Sequence, residues 1–193
     1  MQVQIKNTEE IELMRESGKL LAQVFHMLDD FVKEGVSTLE INDKVEGYTR
    51  NTLHSRPASL GQYGYEFALN ASINDVVCHG IPKATQVLKA KDIVREYCGH
   101  GVGREMHEEP QVLHYGKAGT GLVLVEGMTF AIEPMINQEK AKTKTQKDGW
   151  TVVTADKKLS AQWEHTILVT QTGYEVLTLR QEEQATEHAN APS

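Results

Sequence analysis

Apolar residues recur near helical period over the first fifty positions, then switch to short runs of strand character. Asn7 with Glu10 fits a capping box, and Ile11, Met14, Leu21, Phe25, Leu28 and Val32 follow at helical spacing, with Gly35 as the stop. This predicts a long amphipathic helix. Ser37 with Glu40 offers a second box, and Ile41, Val45 and Tyr48 give another apolar face through about Leu53. From Ala68 the runs ASINDVVCHGIP, KDIVREYCGHG, GMTFAIEPMI, GWTVVTA, SAQWEHTILVT and YEVLTLR, separated by glycines and polar turns, predict a largely antiparallel sheet. NQEKAKTKTQKDG reads as a polar hairpin or loop, and residues 181–193 as a disordered tail. The expectation is an α+β chain, two N-terminal helices before a mostly antiparallel sheet, in one domain over residues 1–180.

Composition narrows the classes. A chain of 193 residues buries a sizeable core without disulfides, and 39% hydrophobic with 24% charged residues describes a globular rather than a disordered protein. The net charge of -7 argues against nucleic acid as a partner. Lys140, Lys142, Lys144 and Lys147 cluster, but as a solvated loop. The N-terminus has no apolar signal core, no run approaches membrane-spanning length, and two cysteines make no disulfide framework. A cytoplasmic protein with no membrane partner is expected.

Three strand-associated positions interrupt apolar runs with ligand-type side chains: His100 in CGHGVG, Glu133 in TFAIEPMI and Glu164 in QWEHTILVT. Alternation puts Glu133 on the opposite strand face from Phe130 and Ile132, and Glu164 opposite Trp163 and Ile167. Two carboxylates and an imidazole suit a hard or borderline divalent ion, and three protein ligands leave room for water, which points to metal-assisted hydrolysis. Gly99 and Gly101 leave space for close approach of backbone and substrate. His79 and His107 supply imidazoles to polarise a carbonyl or hold a leaving amide. Cys78 beside His79 and Cys98 near His100 raise the alternative of a structural zinc site, but the spacing matches no finger or ribbon.

The segments VVCHGIP, REYCGHGVGREMHEEPQVLHY, GMTFAIEPMI, KDGWTV and LSAQWEHTILVT closely resemble type I methionine aminopeptidases of bacteria, from about Ile5 to Arg180. The resemblance implies the pita-bread fold shared with prolidases and creatinases, two halves around a pair of divalent ions. Cobalt, manganese, iron, zinc and nickel are the metals to consider. Position by position it implies His100, Glu133 and Glu164 as metal ligands, Glu133 also as general base, His79 and His107 as substrate-contacting histidines, and Tyr65 and Trp150 as pocket lining. The implied reaction removes the initiator methionine of nascent polypeptides when the next residue is small, with the ribosome as a further partner. Ser59, Asn70, Gln62 and Met106 depart from the pocket pattern of the resembled proteins.

The larger departure lies at KDIVREYCGHG. In the resembled proteins the strand beginning DIV continues into one aspartate ligand, a hairpin with a second, and two helices before REYCGHG. Here Arg95 follows Val94 at once, so a piece on the order of seventy residues is missing, about half a small domain. A truncated fold without the second half's helical pair is therefore expected, with at most one ion, impaired activity, and apolar sheet surface open to self-association. The alternative is a noncatalytic protein that keeps the fold to grip nascent peptide, ribosome or a paralogue.

Overall fold

The computed structural model describes residues 3–88, 98–114, 117, 119–180 and 183. The junction of Val94 with Arg95, and the expected tail apart from Glu183, lie outside the described residues. The chain forms two compact units, one of Met1–Met27, Gly99–Ile132 and Glu164–Ser193, the other of Leu28–Cys98 and Glu133–Trp163.

Helix α1 (Thr8–Asp29) starts as the sequence predicts. Asn7 Oδ1 accepts from the Glu10 amide at 2.9 Å, and Glu10 Oε2 from the Asn7 amide at 3.0 Å. The helix ends six residues before Gly35, because Asp29 and Asp30 oppose the negative C-terminal end of the helix dipole. Its buried face also differs from the expected stripe: Gly18 and Val24 are buried, whereas Leu21 and Phe25 stay exposed. Gly18 decides this, since a Cβ there would collide with the Leu177 carbonyl; only glycine lets the helix lie that close. Arg15 clasps both carboxylate oxygens of Glu175 across this contact.

The first unit's sheet has the order β10-β9-β4-β2-β3, built from β2 (Gly99–Gly101), β3 (Glu108–Val112), β4 (Thr129–Ile132), β9 (His165–Thr170) and β10 (Gly173–Val176). All its pairings are antiparallel, as expected. Met128, Phe130, Ile167 and Val169 share one face and form its core, with Val3, Val112 and Val176 packed against them. Each such side chain contributes roughly 1.5–3 kcal/mol on burial.

In the second unit, α2 (Thr38–Asn51) carries the predicted box between Ser37 and Glu40 and buries Ile41 and Val45. Thr38 is fully buried: its hydroxyl accepts from the Lys83 amide at 2.9 Å and donates to Gln86 Oε1 at 3.1 Å. Strands β1 (Val76–Cys78), β7 (Val152–Thr154) and β6 (Thr143–Thr145) form one antiparallel sheet, and β5 (Met135–Asn137) pairs with β8 (Ser160–Gln162). NQEKAKTKTQKDG thus contributes one arm of the β6–β7 hairpin. Val77, Cys78 and Val152 make the core, closed by Met135 and Ala161.

Two runs that read as single strands are each broken in two. GMTFAIEPMI splits into β4 and β5 around Glu133 and Pro134, and SAQWEHTILVT into β8 and β9 around Trp163 and Glu164. The alternation expected to run through the glutamates therefore fails: Phe130 is buried but Ile132, on the same nominal face, is exposed.

Candidate metal centre and aromatic cluster

Register brings the two glutamates together. Ile132 pairs with His165 on one side of the break and Met135 with Gln162 on the other, so one register runs through it and sets Glu133 opposite Glu164. Glu133 is the first residue past β4, and Glu164 the last before β9. His100 enters from β2, where Gly101 pairs with Phe130 of β4. The glycines around His100 serve these strand contacts. A Cβ on Gly99 would strike the Ala131 carbonyl, and one on Gly101 the Glu109 carbonyl.

His100, Glu133 and Glu164 each offer a ligand atom, all within 4.8 Å of one another, the one such cluster among the described residues. Glu133 is buried, and Gln162 Nε2 donates to its Oε2 at 3.1 Å. His100 Nδ1 lies 2.9 Å from the Gly101 carbonyl; donation there leaves the lone pair on Nε2. Glu164 keeps exposed surface, yet the protein around its carboxyl pushes its pKa up, with His100 pulling it back. A carboxyl held back from ionising gains from a cation beside it, and oxygen and nitrogen donors suit a divalent ion, so these residues fit one. His107, an exposed residue, sets its ring 4.3 Å from that of His100.

The other expected site residues form a cluster of their own. His79 stacks on Trp150 at 4.6 Å, Tyr65 stacks on Trp150 at 5.4 Å, and Phe67 meets Tyr65 edge-on at 5.6 Å. His79 adopts a left-handed backbone, φ 56, and its carbonyl accepts from the Thr151 hydroxyl at 3.3 Å. Burial pushes the Tyr65 phenol up to about 12, and its hydroxyl donates to the Leu69 carbonyl at 2.9 Å. Burial also lowers the His79 pKa, against a smaller opposing pull from the Trp150 backbone.

That shift has a sign. A histidine depressed in the folded state lends stability that is present above its unfolded pKa of about 6.5 and is lost as pH falls through the folded value. Thermal melts are therefore expected to fall with acid below about pH 6.5, and His79→Gln to flatten that part of the profile. An unchanged profile in the variant would exclude His79 as the titrating group.

The sequence model of metallopeptidase family M24 matches residues 12–95 and 93–171. The chain belongs to this family. The methionine aminopeptidase of Escherichia coli strain K12 is 39% identical over 254 aligned residues, covering 95% of this chain and 96% of that protein. The methionine aminopeptidase of Buchnera aphidicola strain Bp is 36% identical, covering 93% and 95%. Among solved structures, the methionine aminopeptidase of Rickettsia prowazekii superposes with a TM-score of 0.85 at 32% identity, over 92% of this chain and 100% of that one. The prolidase of Pyrococcus furiosus, 18% identical with a TM-score of 0.59, shares the fold alone. That fold is the pita-bread α+β fold.

In this M24 metallopeptidase two contacts escaped the sequence reading. Gln162 braces Glu133, but a glutamine in a strand carries no mark of that. Tyr63, 6.5 Å from Trp150, joins the aromatic cluster through a local kink at φ 49. Cys78 lies in the core, where burial and then the Glu133 charge push its thiol up to about 12; it stays neutral and outside the ligand cluster. Ser59 spends its hydroxyl on the Ala68 carbonyl at 2.7 Å. Among the described residues no helix is long and apolar enough to cross a membrane.

Proposed function

We propose that the chain is a metal-dependent methionine aminopeptidase that acts on the N-terminal methionine of nascent polypeptides when the next residue is small, with activity lowered by an internal deletion between Val94 and Arg95. The observation that carries the activity is 39% identity to the E. coli enzyme across nearly the full length of both chains, together with the His100, Glu133 and Glu164 cluster. The deletion is supported by alignment length: 95% of 193 residues fills 254 aligned positions only with gaps of roughly seventy. It is supported too by the family match breaking into two segments that meet at residues 93–95.

His100, Glu133 and Glu164 would hold the ion, which supplies Lewis-acid polarisation of the scissile carbonyl and a water of lowered pKa. The Glu133 carboxylate, oriented by Gln162, would take a proton from the attacking water and pass it to the departing amine nitrogen as the peptide C–N bond breaks. His79 and His107 would contact the peptide, and the ring edges of the Tyr65–Trp150 stack would give the methionine thioether an aromatic wall. Two divalent ions carry four positive charges, which Glu133 and Glu164 half balance, so one ion is the expected load.

The test is release of methionine from a Met-Ala-Ser peptide with added Co²⁺, Mn²⁺ or Fe²⁺. Metal-dependent turnover about 10²-fold or more below that of the E. coli relative is expected. Equal turnover would remove the claim of impairment, and no release with any metal would remove the enzymatic reading. The exposed run Leu122, Val123, Leu124 and Val125 favours a second reading, a binding protein that uses this strip for a partner or a second copy. Elemental analysis separates the two: the binding reading requires metal-free purified protein that still captures peptide.

A further inference from the structure

We infer that the ion pair of Lys6 with Glu108 is a positioning device for His107. Its two side chains are only 5% and 8% exposed, and Lys6 Nζ lies 2.5 Å from Glu108 Oε2. Replacing a buried ion pair by well-packed apolar residues is often neutral for stability; what the pair supplies that an apolar contact does not is direction, and hence geometry.

The pair ties down the turn that carries His107. The Lys6 amide donates to the Gly127 carbonyl at 2.9 Å, and Gly127 in turn to Val169, so the lysine springs from the fixed end of the β4–β9 ladder. At the other end, Glu108 Oε1 accepts from the Glu105 amide at 3.2 Å, and Gly103 closes the turn by donating to the Glu105 carbonyl at 3.0 Å. Gly103 has no room for a Cβ, which would meet Lys6 Cε and Nζ and Glu108 Oε1. Residues 103–107 are thus folded around the ion pair. Glu108 opens β3 opposite Gly101, the neighbour of His100. Glu108 has its side chain held inward, and His107, the bend residue joined directly to it, carries an exposed ring beside that of His100. The Arg104 to Glu10 pair reaches the same turn, but Arg104 is largely exposed and holds it weakly.

The inference rests on the proposed function only for its effect on substrate; the placement of the ring stands by itself. The Lys6→Met/Glu108→Leu variant removes both charges and leaves no buried ion. Its His107 ring signals in a histidine NMR spectrum, assigned with His107→Gln, are expected to shift or broaden. Affinity for a Met-Ala-Ser peptide should fall about tenfold, the weight of one charged hydrogen bond. Arg104→Ala, which leaves the pair intact, should match the parent chain. A folded double variant with unchanged His107 signals would overturn the inference. If the double variant does not fold, isosteric Glu108→Gln decides, by a smaller shift of the same signals or by none. A His107 shift in the double variant, beside a parent chain that never binds peptide, would count against the proposed function alone.

Discussion

Replacing Glu133 and Glu164 together by alanine is expected to lower affinity for Mn²⁺ by more than about 10²-fold in titration calorimetry, beyond the 10 to 100-fold typical of losing a supporting contact. The parent chain should take up one equivalent. The two carboxylates face each other because one register runs through the strand breaks, and their ligand atoms lie with that of His100 inside 4.8 Å. Without them a single imidazole is left, too little for a divalent ion. The same variant should fold, since neither side chain belongs to the apolar cores. Its metal-free form is expected to lose less stability than the parent as pH rises from acid to neutral. Glu164 has a raised carboxyl pKa in the folded state, so its ionisation weakens the metal-free fold as pH rises through that value, and alanine removes the effect. Two equivalents bound by the parent, or an affinity unchanged in the variant, would refute the assignment of ligands.

If the proposed deletion lowers activity, restoring between Val94 and Arg95 the roughly seventy residues by which the alignment to the E. coli relative exceeds this chain is expected to raise methionine release by about 10³-fold or more, and the metal load from one ion to two. Charge is the reason. Two divalent ions need four negative partners in a cleft of low effective dielectric, and Glu133 with Glu164 supply two. A second ion would therefore be held poorly, and the Lewis-acid polarisation it would supply would be lost. Metal stoichiometry by elemental analysis and turnover on Met-Ala-Ser are both to be measured. A folded graft that binds two ions without gaining activity would place the defect elsewhere.

Much of the local structure was legible in the residues. The boxes at Asn7 and Ser37 each satisfy amides that a helix start leaves open, and both helices begin where those residues say. The motifs around His100, Glu133 and Glu164 were specific enough to name the family by resemblance. The helix end was misplaced because Gly35 is a strong stop signal, while two adjacent aspartates against a helix dipole are a weak one. The buried face of α1 was misread because Gly18 contributes nothing to an apolar stripe. It is nevertheless the point of closest packing.

By itself the sequence determined which side chains could hold a cation, because ligand chemistry belongs to the residue, and where each helix starts, because a cap is a contact over three residues. Only the tertiary structure decided that the runs holding Glu133 and Glu164 each break into two strands, that one register through those breaks sets the carboxylates face to face, and that Lys6 reaches across a hundred positions to Glu108. These depend on pairing between distant segments, and a hydrophobic pattern read along one strand carries no record of its partner's register.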